Sequence, residues 1–362
     1  MEARPYPAWP EEVRRRRFAQ EFVLRLRRLA TNRWVIQIVI VAVLLAVALF
    51  RLDFKALAQA FADVHYAWLV FALVVYIGSR LVHAVEWQIT LTKVGRAPFF
   101  GLFGVLLIGT LVNAVVPASA GDVVKIQIVA NRYGLPRAGL VAGRGAEALV
   151  NAVLIVVFVV ISFALPQVGF ASRDLLWLLA GGMLVAMSLA VFAARTLPVE
   201  APDWRILLRL PGRLQAGNRR HWPRIYEGFE VLRRPRLLAI ALAFNLFGWI
   251  VDIAISWAFG RAFNLQLPLA AFVSVTVVIG IITIFPITFG NVGTFELAVI
   301  SALSLYGISG PDAVAYAVGV HVFSTLFNIG LGVIAMLVMG MRPGEVFRLR
   351  APKTVAPTAK PP

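Results

Sequence analysis

The chain has no cysteine, so it can form neither a disulfide nor a thiolate metal site. Histidine is almost as scarce. The four present are scattered, and no HExxH, GxSxG or Walker phosphate loop occurs. These absences remove the commonest metal, acyl-transfer and nucleotide chemistries, and with them ATP-driven pumping by this chain alone; no cofactor and no metal ligand set is expected. Acidic residues are also few, 18 against 35 Lys and Arg, for a net charge of +17. Apolar sequence is what the chain has instead. It is 60% hydrophobic with a mean hydropathy of +0.82, and long apolar runs recur between positions 34 and 340. Such a composition specifies a polytopic helical membrane protein.

Spans are expected at 34–50, 67–90, 145–165, 174–195, 237–259 and 312–340. Two further apolar regions, 99–133 and 269–307, are each interrupted. The first contains Pro117-Ala-Ser-Ala-Gly121-Asp122-Val123 and the second Pro286-Ile-Thr-Phe-Gly290-Asn291-Val292. Pro, Gly and a short polar residue inside an apolar run break one helix and start another. Each interrupted region therefore reads as a re-entrant hairpin. Residues 1–33 are too long and too charged for a secretory signal, so the first apolar run is expected to remain as an anchor.

With the N-terminus in the cytoplasm and each hairpin returning to its side of entry, 28 of the 35 Lys and Arg fall in cytoplasmic segments. Four fall outside and three, Arg80, Lys125 and Arg144, at membrane depth. This is the positive-inside asymmetry, so most of the charge sets orientation and nucleic acid is not the expected partner. Both termini are then cytoplasmic, in a multi-pass protein of the cytoplasmic membrane.

The two breaks, at positions 117 and 286, lie 169 residues apart. Shifting the span 67–90 by that offset lands on 237–259, and shifting 145–165 lands on 312–340. The expected fold is thus all-α, with an inverted repeat of about six spanning helices plus two broken hairpins. Half one runs 34–165 and half two 174–340, with a basic loop at 196–236. Interrupted helices at matching places in inverted halves point to a transport site near the midplane. Two coincident proline kinks would give the same pair of breaks without a repeat.

Polar residues at membrane depth are costly and mark candidate contacts. In the first hairpin, Asp122 reads as a cap for the second arm. Lys125 stands one turn later, a place where the helix dipole disfavours a cation, which suggests an anionic partner. In the second hairpin Asn291 and Thr294 occupy the corresponding positions, and Glu296 follows without a local basic neighbour. Arg144, Glu147 and Asn151 share one helical stripe, and Arg80, His83 and Glu86 form another. Asp252 and His321 are the deep polar residues of half two. Lys125 also reads as a snorkelling side chain or a static partner of Glu296 or Glu147. Glu86 also reads as an interfacial residue, and His321 as a packing histidine rather than a proton relay.

Gly121-Asp122 with the following Lys125, Glu147 where a span begins, and Pro286-x-x-x-Gly290-x-x-Gly293-x-x-Glu296 together resemble the flippase-like family. That family includes the transmembrane region of lysylphosphatidylglycerol synthases and their stand-alone bacterial and archaeal relatives. The resemblance covers about 34–340. It departs at Asn291, where a second glycine is usual, and at Ala148 and Asn151, where a basic residue and an acid are usual. It implies movement or handling of an anionic lipid rather than synthesis, because the aminoacyl transfer of the synthases belongs to a separate soluble domain. The tail 341–362 is too short for such a domain.

A flippase needs a polar midplane cavity, donors for a phosphate and access to both leaflets. Backbone N–H groups at the helix starts near Gly121 and Gly290 are expected to be open to an anion. Lys125, with Arg80 and Arg144, would add mobile positive charge, and Glu147, Glu296, Asp252 and His321 are candidate proton carriers. The competing class is a non-catalytic accessory subunit of a lipid or envelope-glycan assembly system, with envelope-biosynthesis proteins as partners. Residues 11–30 pattern as a basic amphipathic helix on an anionic leaflet. The arginine-rich loop 196–236, with Trp204, Trp222 and Tyr226, patterns as another interfacial element, and the tail from 351 as disordered.

Overall fold

A computed structural model describes residues 58–59, 61–116, 120–164, 173–198, 200, 221–284, 291–342, 344 and 346. The basic segment 1–33, the span 34–50, both Pro-containing breaks with Gly290, most of the loop 196–236 and the tail from 347 lie outside the described residues. Ten helices and no strand occur among those described. They are α1 (Tyr66–Thr90), α2 (Phe99–Val115), α3 (Ala120–Tyr133), α4 (Arg137–Ala164) and α5 (Arg173–Thr196). After them come α6 (Glu230–Arg233), α7 (Pro235–Ala262), α8 (Leu269–Ile284), α9 (Thr294–Ser304) and α10 (Pro311–Val338).

Helices α1, α4, α7 and α10 each contain a stretch long and apolar enough to cross a membrane. The chain is therefore a multi-pass membrane protein. Punctuation in the sequence explains the boundaries. Pro235 and Pro311 open α7 and α10 at the position where a missing N–H costs nothing. Gly134 and Gly340, with φ of 68° and 65°, follow the last turns of α3 and α10. The observed ends lie within three residues of the expected spans, except at α4. Expected from 145, it begins at Arg137, eight residues earlier. Its polar first turns are held by packing rather than apolarity: Gly139 sits against Val94 and the Arg224 carbonyl, and Gly143 against Leu91. A side chain at either glycine would push the 91–94 and 224–228 segments away.

Helices α1 and α7 lie antiparallel along their whole length. The His65 N–H donates to the Ala262 carbonyl (2.9 Å), Trp68 meets Trp257 edge-on (5.1 Å), and Glu86 pairs with Asn245 (2.6 Å). The short helices α2 and α3 also run antiparallel, with Gly109 against Gly121 and Gly101 against Tyr133. The pair α8 and α9 does the same through Ser274 and Tyr306 (2.7 Å). With 14 and 11 residues, α3 and α9 reach about 21 and 16 Å, short of the ~30 Å apolar layer.

These contacts sort the described residues to two ends. Residues 91–98, 134–136, 221–234 and 339–342 gather at one, where Lys93, Arg96, Arg132, Arg137 and Arg224 make it the basic end. Residues 63–65, 263–268 and 305–310 gather at the far end. The α2–α3 pair starts and finishes at the basic end, and α8–α9 at the far end. Boundaries repeat as well: α1 and α7 begin 169 residues apart, and α2 and α8 end 169 apart.

Three apolar clusters hold the bundle. The largest, toward the far end, joins α1, α4, α7, α8, α9 and α10 around Phe259, Phe272, Val299 and Tyr316. A second packs α2 and α3 against α10 around Ile108, Leu111 and Val129. The third seats α5 and α6 on α4 and α7 through Met187, Leu232 and Ala241. Small residues permit the closest approaches. A Cβ on Gly332 of α10 would stand 2.3 Å from Leu111 Cβ on α2, so only glycine allows that crossing.

Candidate functional site

Polar side chains inside the bundle fall into two groups. The first lies where α3 meets α4. Lys125 Nζ is 2.6 Å from Asp122 Oδ1, and Arg144 Nε is 3.4 Å from the same oxygen. Arg144 also reaches Glu147 Oε1 at 3.2 Å. Lys125 further stands 5.8 Å over the Trp87 ring of α1. Arg144 lies seven residues into α4, about 10 Å along it, so these charges sit well inside the basic end.

The second group joins α1 to α7. Asp252 accepts from Ser79 Oγ (2.6 Å) and lies 3.7 Å from Arg80 and 3.5 Å from His83. His83 Nδ1 is 3.3 Å from Glu86 Oε2, and the Asn245 amide donates to Glu86 Oε1 at 2.6 Å. Ser79, Glu86 and Asn245 are 0–2% exposed, so their polar atoms depend on one another. Glu86 also lies within electrostatic reach of Arg144 and Glu147, which makes the two groups one polar track. It runs from the basic end to the middle of α1.

The sequence-predicted residues divide between these places. Asp122, Lys125, Arg144 and Glu147 come together in the first group, and Arg80 joins the second. Asn151 accepts from Trp249 Nε1 of α7 at 2.9 Å, tying α4 to the opposite half. Glu296 belongs elsewhere: it accepts from His321 Nδ1 (2.6 Å) and from the Gly293 N–H (2.7 Å). Asn291 has a left-handed backbone, φ 58°, and its carbonyl accepts from the Thr294 hydroxyl. The Asn291 side-chain oxygen is buried without a hydrogen-bond partner.

Several expectations need correction. Asp122 is not the cap of α3: it lies in the first turn and turns to Lys125 and Arg144. Lys125 therefore pairs with Asp122, not with Glu296 or Glu147, because α3 and α4 bring that carboxylate within reach first. The helix-start N–H groups are not open to an anion either. Gly121 N–H donates to Asn113 Oδ1 of α2 at 2.7 Å, and Gly293 N–H to Glu296. Glu86 is buried at the α1–α7 seam rather than interfacial. Glu147 lies ten residues into α4, not where it begins. His321 is a partnered histidine, and its partner is the carboxylate that lacked a neighbour in sequence. The sequence reading did not find Asn113, Asn245 or Ser79. Asn113 and Asn245 are lone amides in apolar runs, and that isolation was their signal. No group of three or more His, Asp or Glu that could hold a metal ion occurs among the described residues.

Fold and site together define a polytopic helical membrane protein whose two halves each carry a pair of short antiparallel helices. The profile of the lysylphosphatidylglycerol synthase TM region matches residues 34–332, and the chain belongs to that family. No curated protein matches the chain in sequence.

Proposed function

We propose that this protein moves or handles an anionic lipid, of phospholipid or polyprenyl-phosphate type, across the cytoplasmic membrane without catalysing a covalent step. The observation behind the reading is the cluster of Asp122, Lys125, Arg144 and Glu147. Two cations are kept inside an apolar bundle, on and beside a helix too short to cross it, where a charge is expensive unless it has a task. A phosphate headgroup can displace Asp122 from Lys125 and Arg144. One anion then replaces another, and the cations stay compensated while the acyl or prenyl tails remain in lipid.

In this reading α2–α3 and α8–α9 are re-entrant hairpins of an inverted repeat, one from each leaflet. The antiparallel α1–α7 pair is the seam about which the halves alternate their exposure. The positive-inside rule puts the basic end and both termini in the cytoplasm. Gly121, Asn151, Gly290, Asn291, Gly293 and Glu296 then shape the path rather than carry its charge.

The test is reconstitution. Purified protein in liposomes moves a fluorescent phosphatidylglycerol between leaflets faster than protein-free liposomes do, and Lys125→Ala removes the difference. One observation favours the accessory-subunit reading, namely the close Lys125–Asp122 pair, which is also how a static bridge looks. If no anionic lipid moves and Lys125→Ala keeps cellular function, the accessory role replaces transport.

A further inference from the structure

Equivalent positions of the two halves touch at His83. The 169-residue offset carries position 83 to position 252, and His83 Nε2 lies 3.5 Å from the Asp252 carboxylate. Its other nitrogen, Nδ1, lies 3.3 Å from Glu86. One imidazole thus stands between two carboxylates, one from each half. Only the cationic ring donates from both nitrogens; a neutral ring turns a lone pair toward one carboxylate.

The surrounding charges point the same way. Arg80 and Glu86 of α1 and Asp252 of α7 face the ring directly. Arg144 and Glu147 of α4 lie within electrostatic reach of Glu86, and Arg144 links to Asp122 and Lys125 of α3. Of the other elements packed on α1, α2 has no titratable side chain, α6 spends Glu230 on Arg233 and Arg234, and α10 offers Asn328 to Tyr76. Arg236 and Arg261 lie at the ends of α7. Three cations therefore face four carboxylates, and electrical neutrality in an apolar bundle calls for one more proton.

A second seat for that proton is built in. Asn245 is 2% exposed, and while its amide N–H groups serve Glu86, its Oδ1 is buried without a partner. Turning the amide over would present Oδ1 to a protonated Glu86 carboxyl and satisfy both groups.

We propose that the His83–Glu86 pair binds one exchangeable proton and that the movement of an anionic lipid is linked to it, an inference that rests on the transport reading. On His83 the proton bridges both carboxylates and ties α1 to α7. Passed to Glu86, it leaves Asp252 with Arg80 and Ser79 alone and loosens the seam. An anionic headgroup arriving at Lys125 and Arg144 adds negative charge to the same track, so headgroup and proton favour each other's presence.

The experiment imposes a pH difference across liposomes holding the full chain and a fluorescent phosphatidylglycerol. Quenching of the outer leaflet then gives the steady-state distribution of the label. One proton per lipid shifts that distribution about tenfold for each pH unit. His83→Gln and Glu86→Gln abolish the shift. An even distribution under the gradient with the wild type moving lipid overturns the proposal and leaves transport standing. If the wild type moves no lipid, transport fails and the proton site is judged on the protein alone. Nitrogen-15 NMR of histidine-labelled protein in nanodiscs, with infrared spectroscopy of Glu86, then finds either a cationic His83 or a protonated Glu86, as proposed. A neutral His83 beside an ionised Glu86 overturns the proposal. The wild-type measurements need no variant, so a misfolded substitution leaves the test intact.

Discussion

The two short-helix pairs share an architecture and differ in chemistry. Each has antiparallel arms, each starts and finishes at one end of the bundle, and each follows a break at the same offset. The first pair carries Asp122 and Lys125, with Arg144 and Glu147 supplied by the next helix. The second has Asn291 and Thr294 at the corresponding positions and one carboxylate, Glu296, satisfied by His321 and its own helix start. The geometry is duplicated and the charge is not. Duplicated geometry suits a path that must open to both leaflets. Charge in one half only suits a headgroup held mainly near the basic end.

The glycines show the same divergence. Gly121 is needed for space, since a Cβ there would lie 2.0 Å from the Gly109 carbonyl oxygen. Gly293 is needed for conformation: its φ of 82° is one that other residues adopt only with strain.

The largest expected effect lies at the seam between the halves. Glu86→Ala leaves His83 and Asn245 without their shared acceptor and should cost about 3–5 kcal/mol, read as a fall in thermal stability in detergent. Next is Gly121→Ala, which must part α2 from α3 and should cost about 1–3 kcal/mol. Gly293→Ala should cost about 1–2 kcal/mol through backbone strain alone. A ranking with Gly293→Ala far above Gly121→Ala in the same assay would reverse the assignment of space to one hairpin and conformation to the other. Smallest is Arg224→Ala at the basic end. Its pair with Glu227 is half-exposed, and its loss should change stability by about 0–1 kcal/mol.

Much of the fold was legible because apolar length and Pro/Gly punctuation are local signals. The expected span 67–90 is α1 from Tyr66 to Thr90, and the interrupted region 99–133 is α2 and α3. Helix α4 was the exception. Backbone hydrogen bonding continues through Arg137–Arg144 wherever packing supports it, and hydropathy does not register that. Much less of the site was legible. The spacing of Arg80, His83 and Glu86 marked a polar stripe, but its partners Asp252 and Asn245 are set by the register of α1 on α7, across more than 150 residues of chain. Likewise nothing local to Gly121 shows that Asn113 takes its N–H.

The most direct test measures the translocation of fluorescent phosphatidylglycerol by Lys125→Ala and Thr294→Ala side by side. These are corresponding positions of the two hairpins. Loss of a charge-assisted headgroup contact should slow Lys125→Ala by about tenfold or more, while Thr294→Ala stays near the wild-type rate. Equal slowing of both variants, or an unchanged rate for Lys125→Ala, would contradict the claim that the headgroup is held by the charge of the first hairpin.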